Sequence, residues 1–275
     1  MKKLLALVLT LALVLCAANA FALEKVTIAA TPVPHVVILE FIAPFMEELG
    51  YELDIKTFTD YVLPNQVVES GEIDANYFQH TAYLFDFNEK NGTHLVPVIP
   101  VHFEPMGVFK GKCDSLENLK DGATIGVPND TSNEYRALAL LQQLGLITLN
   151  PDAGVSAGKV DIIDNPKNLK IEEIEAAQLP RMLQDFDLAA INGNYALDAG
   201  LSLLTDAVAS ETSESEGYDS RVNYIVVKEG NEDAPWIEAL RECLNREETK
   251  KFIEDTYQGS VVLALDAEIP TADAE

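Results

Sequence analysis

Four short stretches bring polar and aromatic side chains together where an apolar run meets a turn: Tyr77-Phe78-Gln79-His80, His102-Phe103-Glu104-Pro105, residues 129–136, and Asn192-Gly193-Asn194-Tyr195. In open α/β sheets ligands bind beyond the carboxyl ends of strands, so these turns are able to converge on one cleft. Arg136 lies in the first two turns of a predicted helix, where the helix dipole disfavours a cation. A bidentate clamp on a ligand carboxylate would account for it; the plain alternative is a solvated helix arginine. Asn192 and Asn194 flank Gly193 in a turn, a place asparagine also takes for backbone reasons, and their amides offer a ligand both donors and acceptors. Asn223 sets an amide inside the β-branched run 222–227, facing either a ligand or solvent. Tyr61, Phe78, Tyr83 and Phe85 read first as core, but beside a polar cleft such rings hold a thioether, at roughly 0.3–1.5 kcal/mol per sulfur contact.

Other chemistries find less support. His80 and His102, with Glu104 nearby, are ligand types for a metal, yet His35, His80, His94 and His102 show no metal-ligand spacing. No metal and no cofactor are expected. The sequence has no P-loop, nucleophile elbow or His-Glu-x-x-His run, and no nucleophile–base pair stands out, so an enzyme is not expected. Cys113 and Cys243, 130 residues apart, match no zinc motif and are read as unpaired.

The elements that would position these residues follow a β-α-β order. A strand at 26–30, a helix from Val37 stopped by Gly50, an alternating strand at 53–58, a helix near 64–70 and a strand at 73–78 form one block. A strand at 123–128, a helix at 133–144 stopped by Gly145, and a strand at 188–191 form a second. Extended segments at 95–110 and 221–227 join them, and helices at 234–257 return to the first. The spacing predicts two α/β lobes hinged on two extended crossovers, which allow closure on a ligand with few dihedral changes. Lobe 1 is expected over 23–108 plus 229–265, lobe 2 over 109–228, and a disordered tail over 266–275. The acidic, Ser-rich run 210–218 reads as a solvated surface loop.

The chain has 275 residues, 48% hydrophobic, with a formal net charge of −26. That surface repels polyphosphates, so nucleic acid is excluded as a partner. Lys2 and Lys3, the apolar run 4–15 and the small-residue stretch 17–22 form a secretory leader, 1–22, too short for a permanent span. The protein is therefore expected outside the cytoplasm, in the periplasm or at the outer face of the cytoplasmic membrane. Cleavage after Ala20 or Ala22 would discard Cys16; lipidation of Cys16 is the alternative, which Leu15 before it fits poorly.

Taken in order, Ala30-Thr31-Pro32-Val33-Pro34-His35, Phe58-Thr59-Asp60-Tyr61-Val62-Leu63-Pro64-Asn65, Asp74-Ala75-Asn76-Tyr77-Phe78-Gln79-His80, His102-Phe103-Glu104-Pro105-Met106-Gly107, Pro128-Asn129-Asp130 with Asn133 and Arg136, Ala176-Ala177-Gln178-Leu179-Pro180-Arg181 and Ile191-Asn192-Gly193-Asn194-Tyr195-Ala196 closely resemble the NlpA family of methionine-binding lipoproteins. The resemblance runs from about Val26 to Gly259 and implies a two-lobed fold of the type II periplasmic-binding-protein kind. It implies a solute-binding component of an ABC importer that takes methionine (L or D) and meets a membrane permease, as a monomer. Arg136 would take the ligand carboxylate, Asn192 and Asn223 would hydrogen-bond its backbone, and Tyr61, Phe78, His80, Tyr83 and His102 would line the side-chain pocket. A methionine-containing dipeptide or another small amino acid is the alternative ligand. A metal-binding receptor and a surface adhesin are the alternatives of another class.

Overall fold

The computed structural model describes residues 23–212 and 219–270; the expected leader with Cys16, the acidic run 213–218 and residues 271–275 lie outside the described residues. Strands β1 (Glu24–Ala30), β2 (Tyr51–Thr57), β3 (Ala75–His80) and β4 (Leu95–Phe103) come first. They are followed by β5 (Gly107–Lys110), β6 (Thr124–Pro128), β7 (Thr148–Leu149), β8 (Ile162–Asp164), β9 (Lys170–Ile174), β10 (Leu188–Ile191) and β11 (Ala207–Ser210), with β12 (Val222–Lys228) and β13 (Val262–Leu263) last. They assemble into one sheet of order β13-β4-β12-β3-β1-β2, a second of order β11-β5-β10-β6-β9, and the small antiparallel pair β7-β8. In the first sheet β1 runs parallel to β2 and β3, while β12 is antiparallel to both β3 and β4. In the second, β6 runs parallel to β9 and β10, and β5 is antiparallel to β10 and β11. The fold is thus a mixed α/β, two-lobed architecture, and the chain passes between its main sheets twice, once between β4 and β5 and once between β11 and β12.

Alternation along each strand builds a core on both faces of each sheet. Ile28, Ala30, Ile225 and Val227 point to one face of the first sheet, where Ile38, Leu39, Ile42 and Met46 of the helix Val37–Glu48 and Ile237, Leu240 and Leu244 of the helix Pro235–Asn245 cover them. Ala29, Tyr224 and Val226 point to the other face, against Val68 and Leu84. In the second sheet Ile125, Val127, Leu188 and Ala190 meet Ala137, Leu138 and Leu141 of the helix Thr131–Gln143. Phe109, Ala189 and Ile191 face Leu179, Leu183 and Phe186 instead. Cys113 and Cys243 are free, buried, and belong to different cores.

Three expectations require correction. Strand β12 was assigned to the second lobe but inserts between β3 and β4. Six of its seven residues are buried, the pattern of a central strand rather than a solvated crossover. Gly107 and Val108, assigned to the first lobe, pair with Ile191 and Ala190 in the second sheet. The tail begins later than expected: Ala267 packs on the core and the Glu268 carbonyl accepts a 2.6 Å hydrogen bond from the Tyr224 hydroxyl, which holds the chain beyond residue 265 in place. Among the described residues no helix is long and apolar enough to cross a membrane.

Candidate functional site

Between the sheets lies a cleft enclosing about 280 Å³ of non-atom space, partly open to solvent. Tyr61, Phe78, Gln79, His80, Tyr83 and Asn223 line it from the first sheet's side; Glu104 lines it from the first crossing. Asn133, Arg136, Asn192 and Asn194 line it from the second sheet's side. Of the nine residues expected to bind ligand, His102 alone stays out of the lining, fully buried behind Glu104; Phe85, raised with the other rings, packs against the core instead. Glu104, Asn133 and Gln79 were not named as binding residues, although each lies within a stretch singled out at a strand end or helix start. Gln79 spends its amide on Asn65 and Asn76, a buried network that stiffens the wall.

Local structure aims these side chains. Phe78 and His80 ride on the last residues of β3, and the His80 imidazole caps the helix Thr81–Asn91 by accepting from the Tyr83 backbone N–H at 3.1 Å through Nδ1. That acceptor role leaves the proton on Nε2, which donates to Asn133 Oδ1 at 3.2 Å. Burial, with Arg136 nearby, lowers the His80 pKa to about 3, so the ring is neutral. Asp130 caps the helix Thr131–Gln143 through the Asn133 N–H. Asn133 and Arg136, three residues apart, then share one face of that helix. Asn133 Oδ1 also accepts from Asn192 Nδ2 at 2.7 Å, and Asn192 Oδ1 is left buried with no partner. Asn194 Oδ1 accepts from the Tyr61 hydroxyl at 2.6 Å, across the cleft.

Arg136 does not present its whole fork. Nε donates to both carboxylate oxygens of Glu211 at 3.0 Å, and Nη2 donates at 2.6 Å to Glu211 Oε2 and at 2.6 Å to the Glu104 carbonyl. The bidentate partner expected of a ligand is therefore supplied by the protein, and Nη1 is the nitrogen without a hydrogen-bond partner among the described residues. Glu211 corrects a second expectation. Read from sequence as part of a solvated acidic loop, it is 3% exposed, accepts from Arg221 as well, and takes the Met106 N–H at 2.8 Å. Burial alone would raise its pKa, but the two guanidiniums outweigh that and hold it below the usual carboxylate range.

Next to Arg136, Glu104 is 5% exposed, and burial raises its pKa against the opposing pull of that guanidinium. Its Oε1 lies 2.7 Å from His102 Nε2 and 3.3 Å from His35 Nε2. These three residues form the one group among those described whose ligand atoms lie close enough to hold a metal, within 4.8 Å of one another. Sequence spacing gave no hint of it, since His35 is 67 residues from His102. His102 Nε2 donates to Oε1, however, and His35 Nε2 hydrogen-bonds Asn223 Oδ1 beside it, so both nitrogens already serve as donors within the protein. The remaining wall is aromatic: Tyr61 lies 4.8 Å from Tyr195 in a stack, and 5.6 Å from both Phe78 and Tyr83, centroid to centroid.

The lining contains no serine, threonine, cysteine or lysine. It offers a cationic nitrogen, a carboxylate, an orphaned amide oxygen and a wall of rings, which suit a small zwitterion with an apolar or thioether side chain.

A family model described as NlpA lipoprotein matches residues 26–265. The D-methionine-binding lipoprotein MetQ of Salmonella typhimurium is 40% identical over 218 residues, 78% of this chain and 79% of that one. The methionine-binding lipoprotein MetQ of Bacillus subtilis is 37% identical over 243 residues, 87% of this chain and 88% of that one. Among solved structures, a nutrient binding protein from Burkholderia cenocepacia bound to methionine superposes with a TM-score of 0.83 at 39% identity, covering 87% of this chain and 99% of that one.

Proposed function

The chain belongs to the NlpA lipoprotein family, and from that premise we propose that it is the extracytoplasmic solute-binding component of an ABC importer, capturing methionine between its lobes and delivering it to a membrane permease. The observation that carries the reading is the pairing, in one cleft, of the open Arg136 Nη1 with the Glu104 carboxylate and the orphaned Asn192 Oδ1. Arg136 Nη1 takes the α-carboxylate. Glu104 and Asn192 Oδ1 accept from the ammonium, and Asn194 and Asn223 complete the polar end. Tyr61, Phe78, His80 and Tyr83 enclose the thioether. His102, set behind Glu104, makes no ligand contact.

Capture without chemistry is the mechanism proposed. The lobes, 23–103 with 222–268 and 107–210, close about the two crossings that join them. Arg136 touches both crossings, at the Glu104 carbonyl and at Glu211. Ligand contacts made by both lobes favour the closed state by their differential affinity, and that state is what a permease would recognise. Because Cys16 is the one cysteine near the leader, membership in a lipoprotein family favours lipid attachment there over cleavage after Ala20 or Ala22. Titration calorimetry against L- and D-methionine tests the reading. Saturable 1:1 binding of either enantiomer is expected, and no heat with both, in ligand-free protein, would refute it.

A further inference from the structure

Two fully buried histidines beside the cleft have no place in the contacts assigned above. His102 Nε2 lies 2.7 Å from Glu104 Oε1, and its Nδ1 lies 2.6 Å from the Tyr77 hydroxyl. His35 Nε2 lies 3.3 Å from the same Oε1 and 3.3 Å from Asn223 Oδ1, while its Nδ1 lies 2.8 Å from Thr31 Oγ1. Each ring is thus held at both nitrogens. A hydroxyl donating to Nδ1 fixes the tautomer that carries its proton on Nε2, which in His102 donates to the carboxylate and in His35 to Asn223 Oδ1, 3.3 Å from that carboxylate. We infer that His35 and His102 are positioning residues for Glu104, holding its carboxylate at the ammonium end of the cleft so that the site selects an α-amino acid over the same acid lacking the amino group. The inference rests on the methionine reading and specifies how one pole of that site is built.

The chemistry of the supports favours this role. Arg136, whose Nη2 bonds the Glu104 backbone carbonyl, acts on this carboxylate through space but makes no hydrogen bond to it, being paired with Glu211. Neutral imidazoles stabilise the carboxylate by hydrogen bonding without supplying a counter-ion. Both rings are neutral, since burial lowers the His102 pKa to about 3 and that of His35 to about 4. His102 Nε2 donates to Oε1, His35 Nε2 stands 3.3 Å from the same oxygen while hydrogen-bonding Asn223 Oδ1, and the Asn194 backbone N–H also donates to this carboxylate. The backbone supports the same geometry: a Cβ at Gly193 would sit 2.8 Å from Glu104 Cβ, so the turn carrying Asn192 and Asn194 closes directly onto this carboxylate.

The test compares methionine with 4-(methylsulfanyl)butanoic acid, its counterpart without the amino group, by calorimetry on wild-type protein and on His102→Leu, His102→Gln, His35→Leu and Tyr77→Phe. Wild type is expected to favour methionine strongly. His102→Leu should weaken methionine roughly 10- to 100-fold while changing the des-amino acid by less than about threefold, the scale of one hydrogen bond to a charged group. His102→Gln, whose amide N–H reaches toward Oε1, should restore most of the selectivity. Tyr77→Phe keeps the ring but frees the His102 tautomer, so it should lose part of the selectivity even if His102→Leu fails to fold. Equal weakening of both acids in His102→Leu and His35→Leu, or unchanged selectivity in Tyr77→Phe, would overturn the positioning role while methionine binding stands. Wild-type protein that binds neither acid would overturn the methionine reading and this inference with it.

Discussion

Replacing Arg136 by alanine separates the two tasks that its guanidinium performs. Inside the protein, the change removes the Nε and Nη2 hydrogen bonds to Glu211 and the Nη2 bond to the Glu104 carbonyl. Breaking a buried ion pair by deleting one partner costs about 3–5 kcal/mol. Glu211 retains Arg221 and the Met106 N–H, which places the expected loss near the low end, about 3 kcal/mol. For a domain of this size that corresponds to a fall in melting temperature of about 6–12 °C. Toward the ligand, only Nη1 is open, so the affinity loss should also sit low in the range for truncating a buried charge partner, about 2–3 kcal/mol or roughly 30- to 150-fold. Thermal melts of ligand-free protein give the first quantity, and calorimetry with methionine on the folded variant gives the second. Arg136→Ala with an unchanged melting temperature would refute the account of the Glu211 cluster. Methionine affinity within threefold of wild type would remove Arg136 from the ligand's carboxylate.

Two further outcomes follow from the same geometry. His35, His80 and His102 have folded pKa values of about 4, 3 and 3, below the usual 6.5, chiefly through burial. The unfolded chain therefore takes up protons that the folded one refuses. The stability these rings contribute is complete above about pH 6.5 and is lost as the pH falls toward 4, at about 2 kcal/mol per ring at pH 5. Glu104 and Asp130, raised by burial, offset part of this. The melting temperature should fall clearly between pH 7.5 and pH 5, and a flat profile would contradict neutral, buried imidazoles. Gly193→Ala forces a Cβ to 2.8 Å from Glu104 Cβ and 3.0 Å from the Pro105 carbonyl oxygen. Calorimetry should show methionine binding weakened about tenfold or more; undiminished affinity would mean that the turn and the carboxylate are not packed as described.

The amino-acid order alone determined the elements, because hydrophobic periodicity and capping residues act over a few positions. The helix carrying Asn133 and Arg136, expected at 133–144 and found at Thr131–Gln143, the strand expected at 73–78 and found at Ala75–His80, and the turn at Asn192 were legible on that basis to within two residues. So was the prospect that strand ends would meet in one cleft. What only the tertiary structure decided are pairings between distant positions. Glu211 looks like any solvated acid in a Ser-rich run until Arg136, 75 positions earlier, and Arg221 are packed against it. His102 looked like a pocket residue until Glu104 came between it and the cleft, and His35 joined that carboxylate from 69 positions away. The membership of β12 in the first sheet likewise depends on which strands it finds as neighbours. A buried charge is tolerable only once its partner arrives, and that partner is set by how the sheets stack rather than by any local pattern.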